Sequence, residues 1–280
     1  MNPYLKMLEN PKMTLIMSLP KNDPALCRAA FEAGADAVKV HINVEHRASG
    51  SRFGRLCEEK AALEEMIACA NENGVILMEA FAYLHSPIVS AVKQDLEKIG
   101  DILYMESAFL TSDYDISNIR MRRETFGGCA YDLGCYNTSQ ILWMLGEEPE
   151  TVQAVATFSD QKVDNLTTGI FTFANGAQAN FTCGMLLATD QDKRIDRFRI
   201  HGTKGYIASE TEFNQAGLLS YILSTDEGTV VKTVDAPQNY RLEVEQMGRC
   251  ITEGEAPHVS HAFTLMNART IARVLEKIGY

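Results

Sequence analysis

Over the first eighty residues, apolar and polar positions come in short blocks that switch between strand and helix periods. Met13 to Leu19 is an apolar run of strand length. Asp23-Pro24 then opens a helical pattern through Leu26, Ala29, Ala30 and Ala33 that stops at Gly34. Asp36 to Ile42 reads as a second strand, with Lys39 and His41 alternating on one of its faces. A loop from His46 to Arg55 contains Gly50 and Gly54. It leads to a helix from about Glu58 to Asn73, closed by Gly74, and to a third strand from Val75 to Phe81. This β-α-β-α-β order with short connections implies parallel strands and right-handed crossovers.

After Pro87 a helix runs to Gly100, and Ile102 to Leu110 reads as a half-buried strand. The pattern then changes. Apart from a helix of roughly Asp132 to Leu145, residues 151 to 236 form strand after strand. Asn175-Gly176, between Gly169 to Phe173 and Ala179 to Thr182, signals a hairpin whose turn residues both accept positive φ. Gly202-Thr203-Lys204-Gly205 and Asp226-Glu227-Gly228 mark two further reversals. Two helices close the chain. Tyr240, Val244, Met247 and Ile251 recur at helical spacing in the first, and Leu265, Ala268, Ala272, Leu275 and Ile278 in the second, each stripe expected to cover sheet surface. The expected fold class is α+β: a small parallel β-α-β-α-β unit over residues 1–80, then a large, mainly antiparallel sheet with covering helices over residues 81–280.

At 280 residues and 46% hydrophobic content, the chain has material for one large or two modest buried cores. It has no apolar run of 18 residues and no basic start followed by an apolar stretch and a small-residue cleavage site. Membrane association and secretion are therefore not expected, and a cytoplasmic location follows by default. A formal charge of -11, with no Lys and Arg cluster interleaved with aromatics, weighs against nucleic acid as a partner. The seven cysteines are odd in number and lack any C-x-x-C pair, so reduced thiols are expected and a zinc site is not. His258 and His261 have no further ligand at suitable spacing; Ser260 as a helix cap accounts for that region, and no metal site is expected.

The candidate chemistry sits in Gly127-Gly128-Cys129-Ala130-Tyr131-Asp132-Leu133-Gly134-Cys135-Tyr136. At ~100° per residue, Asp132 and Tyr136 lie about 40° apart on a helix and face one direction. A phenol can act as a general acid when a neighbouring charge tunes it. Gly127-Gly128 would let backbone approach a ligand, and the helix dipole favours Asp132. Spacing alone leaves another reading open, with Asp132 as an N-terminal cap and Tyr136 as a core aromatic. Cys129 and Cys135 bracket the corner without a local histidine and read as packed or incidental residues.

From about Glu64 to the end, the chain resembles the glucose-fructose oxidoreductase/inositol dehydrogenase (Gfo/Idh/MocA) family. The likeness is carried by Asn73-Gly74-Val75-Ile76-Leu77-Met78-Glu79-Ala80-Phe81, Asn118-Ile119-Arg120, the Gly127 to Tyr136 stretch and Asn239-Tyr240-Arg241-Leu242-Glu243. The resemblance implies a Rossmann domain followed by an antiparallel sheet domain, using NAD or NADP to oxidise or reduce sugars, polyols and related carbonyls. It implies Tyr136 as catalytic acid/base with Asp132, and substrate contacts near Tyr83, His85, Asn118 and Arg120. It also implies a homodimer or higher homo-oligomer formed through the open sheet face, which strands such as Thr167 to Phe173 would supply.

The chain departs from the family at its front. No two glycines have the G-x-G spacing of the dinucleotide fingerprint. Glu59-Lys60, Glu97-Lys98 and Glu276-Lys277 are followed by Ala or Ile and not by the proline of the family's E-K-P motif, so Lys60 does not replace its lysine. Residues 13 to about 55 resemble the first β-α-β of a phosphate-binding TIM barrel, although two β/α units cannot close such a barrel. A seam near Arg55 to Ala62 suggests a fusion in which a short α/β piece replaces most of a nucleotide-binding domain. Within that piece Arg47, Ser49, Gly50, Ser51 and Arg52 form a cationic, glycine-containing loop that offers a phosphate site, or simply a solvated loop. Three functions follow in descending order. The first is an oxidoreductase of this family with impaired or lost NAD(P)-dependent turnover. The second is a non-catalytic sugar-binding or homo-oligomeric module, and the third a small phosphosugar lyase or isomerase at the His46 to Arg55 loop.

Overall fold

A computed structural model describes residues 16–35, 37–41, 45–46, 51–54, 56–72, 78–112, 118–187 and 194–280. They belong to two compact units, Met1–Ala80 with Arg241–His261, and Phe81–Tyr240 with Ala262–Tyr280.

In the first unit, β1 (Ile16–Ser18) and β2 (Ala37–Lys39) pair in parallel, joined by α1 (Pro24–Glu32). The local code for α1 works as read. Asp23 takes extended backbone and its carboxylate accepts from the Ala25 and Leu26 amides at 2.8 and 3.4 Å, while Pro24 occupies the first turn, where its missing N–H costs nothing. Gly34 has φ 91°, the conformation that ends a helix without a Cβ penalty. Leu19, Cys27, Ala30 and Phe31 pack with Met66, Cys69 and Ala70 of α2 (Leu56–Glu72) into one apolar cluster. The two ends of the His46 to Arg55 loop meet as a short antiparallel ladder, β3 (Glu45–His46) with β4 (Ser51–Arg52). The first three residues of the expected third strand, 75–77, lie outside the described residues, and the remaining four, 78–81, are irregular and not a strand.

The second unit is built on one eight-stranded sheet, ordered β12-β11-β10-β9-β5-β8-β7-β6. Its strands are β5 (Ile102–Thr111), β6 (Thr151–Phe158), β7 (Asp164–Thr172), β8 (Gln178–Gly184), β9 (Arg194–Gly202), β10 (Gly205–Ser209), β11 (Gly217–Thr225) and β12 (Gly228–Ala236). All neighbours are antiparallel except β5 and β8, the fifth and sixth strands of that order. β5 shows the two-residue period of a one-sided sheet: Met105, Ser107 and Phe109 are buried, whereas Tyr104, Glu106 and Ala108 are only partly covered. The β7–β8 reversal differs from the expected two-residue turn. Phe173 N–H bonds to Ala177 O and Gly176 N–H to Phe173 O, and only Gly176, at φ 87°, has positive φ. Three residues make the loop, and Asn175 contributes through its side chain, which accepts from Ala177 N–H at 2.8 Å.

Helix α3 (Pro87–Asp95) and the helices around the site cover the buried face. Asp95, itself buried, accepts from Tyr221 Oη at 2.7 Å and Lys232 Nζ at 2.6 Å, joining α3 to β11 and β12. The two closing helices, α6 (Asn239–Glu253) and α7 (His261–Ile278), appear where expected but bury other stripes. In α6, Tyr240, Val244 and Ile251 are exposed, whereas Gln246 and Cys250 are buried. Gln246 Nε2 donates to Ala256 O at 2.9 Å, which satisfies the donor side of this buried amide. In α7 the buried positions are Phe263, Asn267, Thr270 and Val274, with Leu275 from the expected stripe; Asn267 Oδ1 accepts from Thr138 Oγ1 at 2.8 Å.

Candidate active site

The Gly127 to Tyr136 stretch folds as two helical pieces, not as one helix. α4 (Cys129–Asp132) ends at Leu133, whose backbone (φ -112°, ψ -39°) leads into α5 (Gly134–Leu145). Asp132 therefore closes one helical turn, and Tyr136 opens the next. Gly127 and Gly128 serve the protein's own packing. A Cβ on Gly127 would strike the carbonyls of Arg120 and Arg122, and one on Gly128, at φ 119°, would strike the Asp164 carboxylate.

Two residues far along the chain hold this corner. Asp164, fully buried at the start of β7, accepts from Ala130 N–H at 2.8 Å, Cys129 Sγ at 3.0 Å and Thr167 Oγ1 at 2.7 Å, all on Oδ2. It caps α4 from a distance. Burial raises its pKa despite those three donors. Tyr280 donates its hydroxyl to Gly127 O, its ring lying under the Arg123 guanidinium at 3.5 Å and edge-on to Tyr131 at 5.4 Å. No local signal pointed to either residue.

The Tyr136 ring is half-buried and makes edge or tilted contacts with Phe81 at 5.9 Å, Tyr83 at 5.8 Å and Phe109 at 5.4 Å. Burial raises the pKa of its phenol, with the charges of Cys135, Tyr240 and Asp132 adding to the rise and Arg120 opposing it. The group is a protonated phenol across the neutral range. Beside it, Arg120 Nε donates to Asp132 Oδ1 at 2.6 Å, and Asn118 Oδ1 accepts from the Arg120 amide at 3.0 Å in capping the turn Ile119–Met121. The structure thus brings together Tyr136, Asp132, Arg120 and Asn118.

Tyr83 and His85 share the turn Ala82–His85 on the other side of the ring. Tyr83 is fully buried, its hydroxyl 2.8 Å from Ser139 Oγ and donating to Tyr136 O at 3.4 Å, so it braces α5; His85 is half-buried. Underneath, Ser107 links Gln140 and Asn137 at 2.8 Å each, and Lys93 Nζ caps the end of α5 by donating to the Trp143 and Met144 carbonyls at 2.7 and 2.8 Å. Phe81 and Phe109 are site residues that spacing did not reveal. Cys129 is fully buried, and its thiol pKa is raised by burial and its coupling to Cys183, which leaves it unsuited to attack.

Of the expected phosphate loop, Arg47, Ser49 and Gly50 lie outside the described residues, and Ser51 and Arg52 form β4. Two backbone N–H positions in the first unit are taken by carboxylates. Gly54 N–H donates to Glu59 Oε1 at 2.6 Å, and Asp23 fills the N-terminus of α1. Neither feature fits a dinucleotide pyrophosphate, which needs those N–H groups for itself. Among the described residues, no group of three or more His, Cys, Asp and Glu side chains could hold a metal ion, and no helix is long and apolar enough to cross a membrane.

Comparison with known proteins fits this geometry. Residues 92–208 match the model of the GFO/IDH/MocA C-terminal domain. The chain is 30% identical over 249 residues to D-xylose 1-dehydrogenase (NADP(+)) 2 of Haloferax volcanii, covering 85% of this chain and 74% of that protein. It is 27% identical over 240 residues to trans-1,2-dihydrobenzene-1,2-diol dehydrogenase of Xenopus laevis, covering 80% and 71%. Among solved structures, a 3-ketoreductase of Actinomadura kijaniata in complex with NADP and TDP-benzene superposes with a TM-score of 0.75 at 20% identity, over 98% of this chain and 81% of that one. An aldose-aldose oxidoreductase of Caulobacter crescentus complexed with glycerol gives 0.73 at 19% identity, over 98% and 79%. At these identities the structural likeness is one of fold.

Proposed function

The chain belongs to the GFO/IDH/MocA family, and on that premise we propose that it is an oxidoreductase homologue acting on sugar, polyol or related carbonyl substrates, with NAD(P)-dependent turnover impaired or lost. The observation that carries the reading is the Tyr136 phenol, protonated and walled by Phe81, Tyr83 and Phe109, with the Arg120–Asp132 pair at its side. The phenol holds its proton at neutral pH and can give it to a carbonyl oxygen that gains charge, and Arg120 opposes the burial that weakens it as an acid. Arg120, held by Asp132 and Asn118, supplies a fixed positive charge next to it. Asp132 acts by positioning Arg120. Asn118 and His85 complete the substrate-facing set of this reading, and Tyr83 supports Tyr136 from behind.

A nicotinamide cofactor, when bound, supplies or accepts the hydride in relatives named for NADP. Here the dinucleotide fingerprint and the E-K-P lysine are absent from the sequence, and Glu59 and Asp23 occupy N–H groups that a pyrophosphate would use. These features support a truncated or replaced nucleotide-binding unit at residues 1–80 and low cofactor affinity. They equally favour the second reading, a sugar-binding or assembly module. Titration of the protein with NADPH and NADH, followed by turnover of D-xylose, separates the two. Saturable micromolar binding with turnover supports the oxidoreductase, whereas no binding at millimolar nucleotide leaves the module. Where turnover is measurable, Tyr136→Phe is expected to lower kcat by about 10²–10⁴-fold with an unchanged melting temperature, the scale of a lost general acid. Unchanged kcat removes Tyr136 from its role.

The partner we propose is a second copy of the chain, docked on the open sheet face. One row of that face reads Gln153, Ile170, Asn180, Glu106, Arg199, Ala208, Ile222 and Val231 across all eight strands. It mixes exposed apolar residues with both signs of charge, and a groove of about 430 Å3 lined by Glu106, Asn180, Arg197, Arg199 and Glu210 runs into it. Such a surface is self-complementary under a two-fold axis. Arg199→Glu is expected to shift sedimentation toward monomer at micromolar protein. An unchanged oligomer, or a wild-type monomer, removes this face from the interface.

A further inference from the structure

Beyond Tyr136 and its neighbours, the helix-covered face of the sheet carries a charged pair that the chemistry above does not use. Phe109 of β5 lies directly opposite Asp196 of β9 in the register, so the two side chains are neighbours on the face where Phe109 meets Tyr136. Arg194, two residues before Asp196 and therefore on the same face, places its guanidinium carbon 5.9 Å from the centre of the Phe109 ring. The Phe109 ring thus neighbours both the guanidinium and the Tyr136 ring.

The pair is built unlike a structural salt bridge. Arg194 Nη2 donates to Asn214 O at 3.1 Å and stands 3.4 Å from Asp196 Oδ2. Among the described residues both contacts use that one nitrogen, and the Nε edge of the fork is left open on a side chain 32% exposed. Asp196 is 0% exposed, yet neither of its carboxyl oxygens completes a well-formed hydrogen bond among the described residues. Buried carboxylates ordinarily satisfy both oxygens, and a guanidinium fixed for structure ordinarily presents its full fork. Burial pushes the Asp196 carboxyl up to about 7, with the Glu212 charge adding to the rise and Arg194, the Asn214 amide and Arg197 opposing it. Near neutral pH the positive charge of Arg194 is then only partly compensated.

We propose that Arg194, backed by Asp196, is a specificity-determining residue that receives an oxyanion substituent of the substrate, a carboxylate or a phosphate ester, while the reacting carbonyl or hydroxyl lies at Tyr136. The inference rests on the reading of Tyr136 as the proton-transfer group and adds the substrate class: anionic sugar or polyol derivatives. The planar fork suits an oxyanion, and Phe109 supplies an apolar floor between the two polar ends of the ligand.

The test is calorimetric titration of the full chain, without nucleotide, with D-glucuronate, D-glucose 6-phosphate and D-glucose. The wild type is expected to bind one or both anionic sugars at least tenfold more tightly than glucose, and the better anion identifies the group as carboxylate or phosphate. Arg194→Met is expected to abolish the ratio and Arg194→Lys to retain most of it. Lysine keeps the charge, so a merely structural role would not produce that order. Equal affinities in the wild type, an undiminished ratio in Arg194→Met, or no binding of any of the three sugars overturns the proposal. Absence of turnover with NADPH leaves the ratio measurable, and loss of the ratio leaves the role of Tyr136 intact.

Discussion

Replacing Asp164 with alanine is expected to destabilise the protein by roughly 2–6 kcal/mol and to release the corner that carries Asp132 and Tyr136. The carboxylate is the acceptor for Ala130 N–H, Cys129 Sγ and Thr167 Oγ1, all in a buried place. Alanine leaves the Ala130 and Thr167 donors without a partner and out of reach of solvent, at about 1–3 kcal/mol each, while the Cys129 thiol keeps Cys183 O at 3.3 Å. α4 has only four residues and no capping side chain of its own, so nothing local replaces that acceptor. Asparagine is the informative control. It keeps an oxygen at the Oδ2 position and discards a charge that burial disfavours, as the raised pKa records. Asp164→Asn is therefore expected to stay within about 1 kcal/mol of the wild type at neutral pH. Urea unfolding reports the stability of both variants, and amide hydrogen exchange over residues 129–136 reports the corner. An alanine variant as stable as the asparagine one, with unchanged exchange, sinks the assignment.

The same residue shows where reading the chain stops. The components of the site were legible: Tyr136, Asp132, Arg120 and Asn118 were named from motif likeness, and they lie together. The break at Leu133 was not legible, nor was the acceptor that caps α4 from 34 residues away with Gly128 closed against it. Phe109 and Arg194 were missed for a related reason. They belong to β5 and β9, and only the pairing register puts them on one face beside Tyr136. Local chemistry fared better. Asp23, Pro24 and Gly34 bounded α1 as expected, and Asn175-Gly176 marked a reversal, although with a three-residue loop in place of two. In α6 and α7 the elements were right and the buried stripes wrong. Apolar periodicity cannot see Gln246 or Asn267, whose burial rests on hydrogen bonds to Ala256 and Thr138.

Asp196→Asn is expected to raise stability clearly at pH 8 and much less at pH 5. The folded-state pKa of about 7 stands above the ordinary 3.8, so the native protein holds a proton that the unfolded chain releases. The stabilising contribution of that proton is fully present below pH 3.8 and is lost as pH rises through about 7. About three pKa units correspond to a ceiling on the order of 4 kcal/mol between the two ends of that window. The value of about 7 already contains the pull of Arg194, and more than a unit of the window lies below pH 5, so the gain at pH 8 is expected to exceed that at pH 5 by about 2 kcal/mol. Glu243, also pushed up to about 7 by burial, gives the wild type the same slope, so the variant should flatten the decline between pH 5 and 8 without abolishing it. Urea midpoints at the two pH values decide the matter. A variant no more stable than wild type at pH 8 means that Asp196 is fully solvated by partners in the folded state. A gain at pH 8 accompanied by weaker binding of the anionic sugars means that the protein keeps a destabilising carboxyl because Arg194 needs it in place, as strained or poorly satisfied groups at functional sites are kept elsewhere.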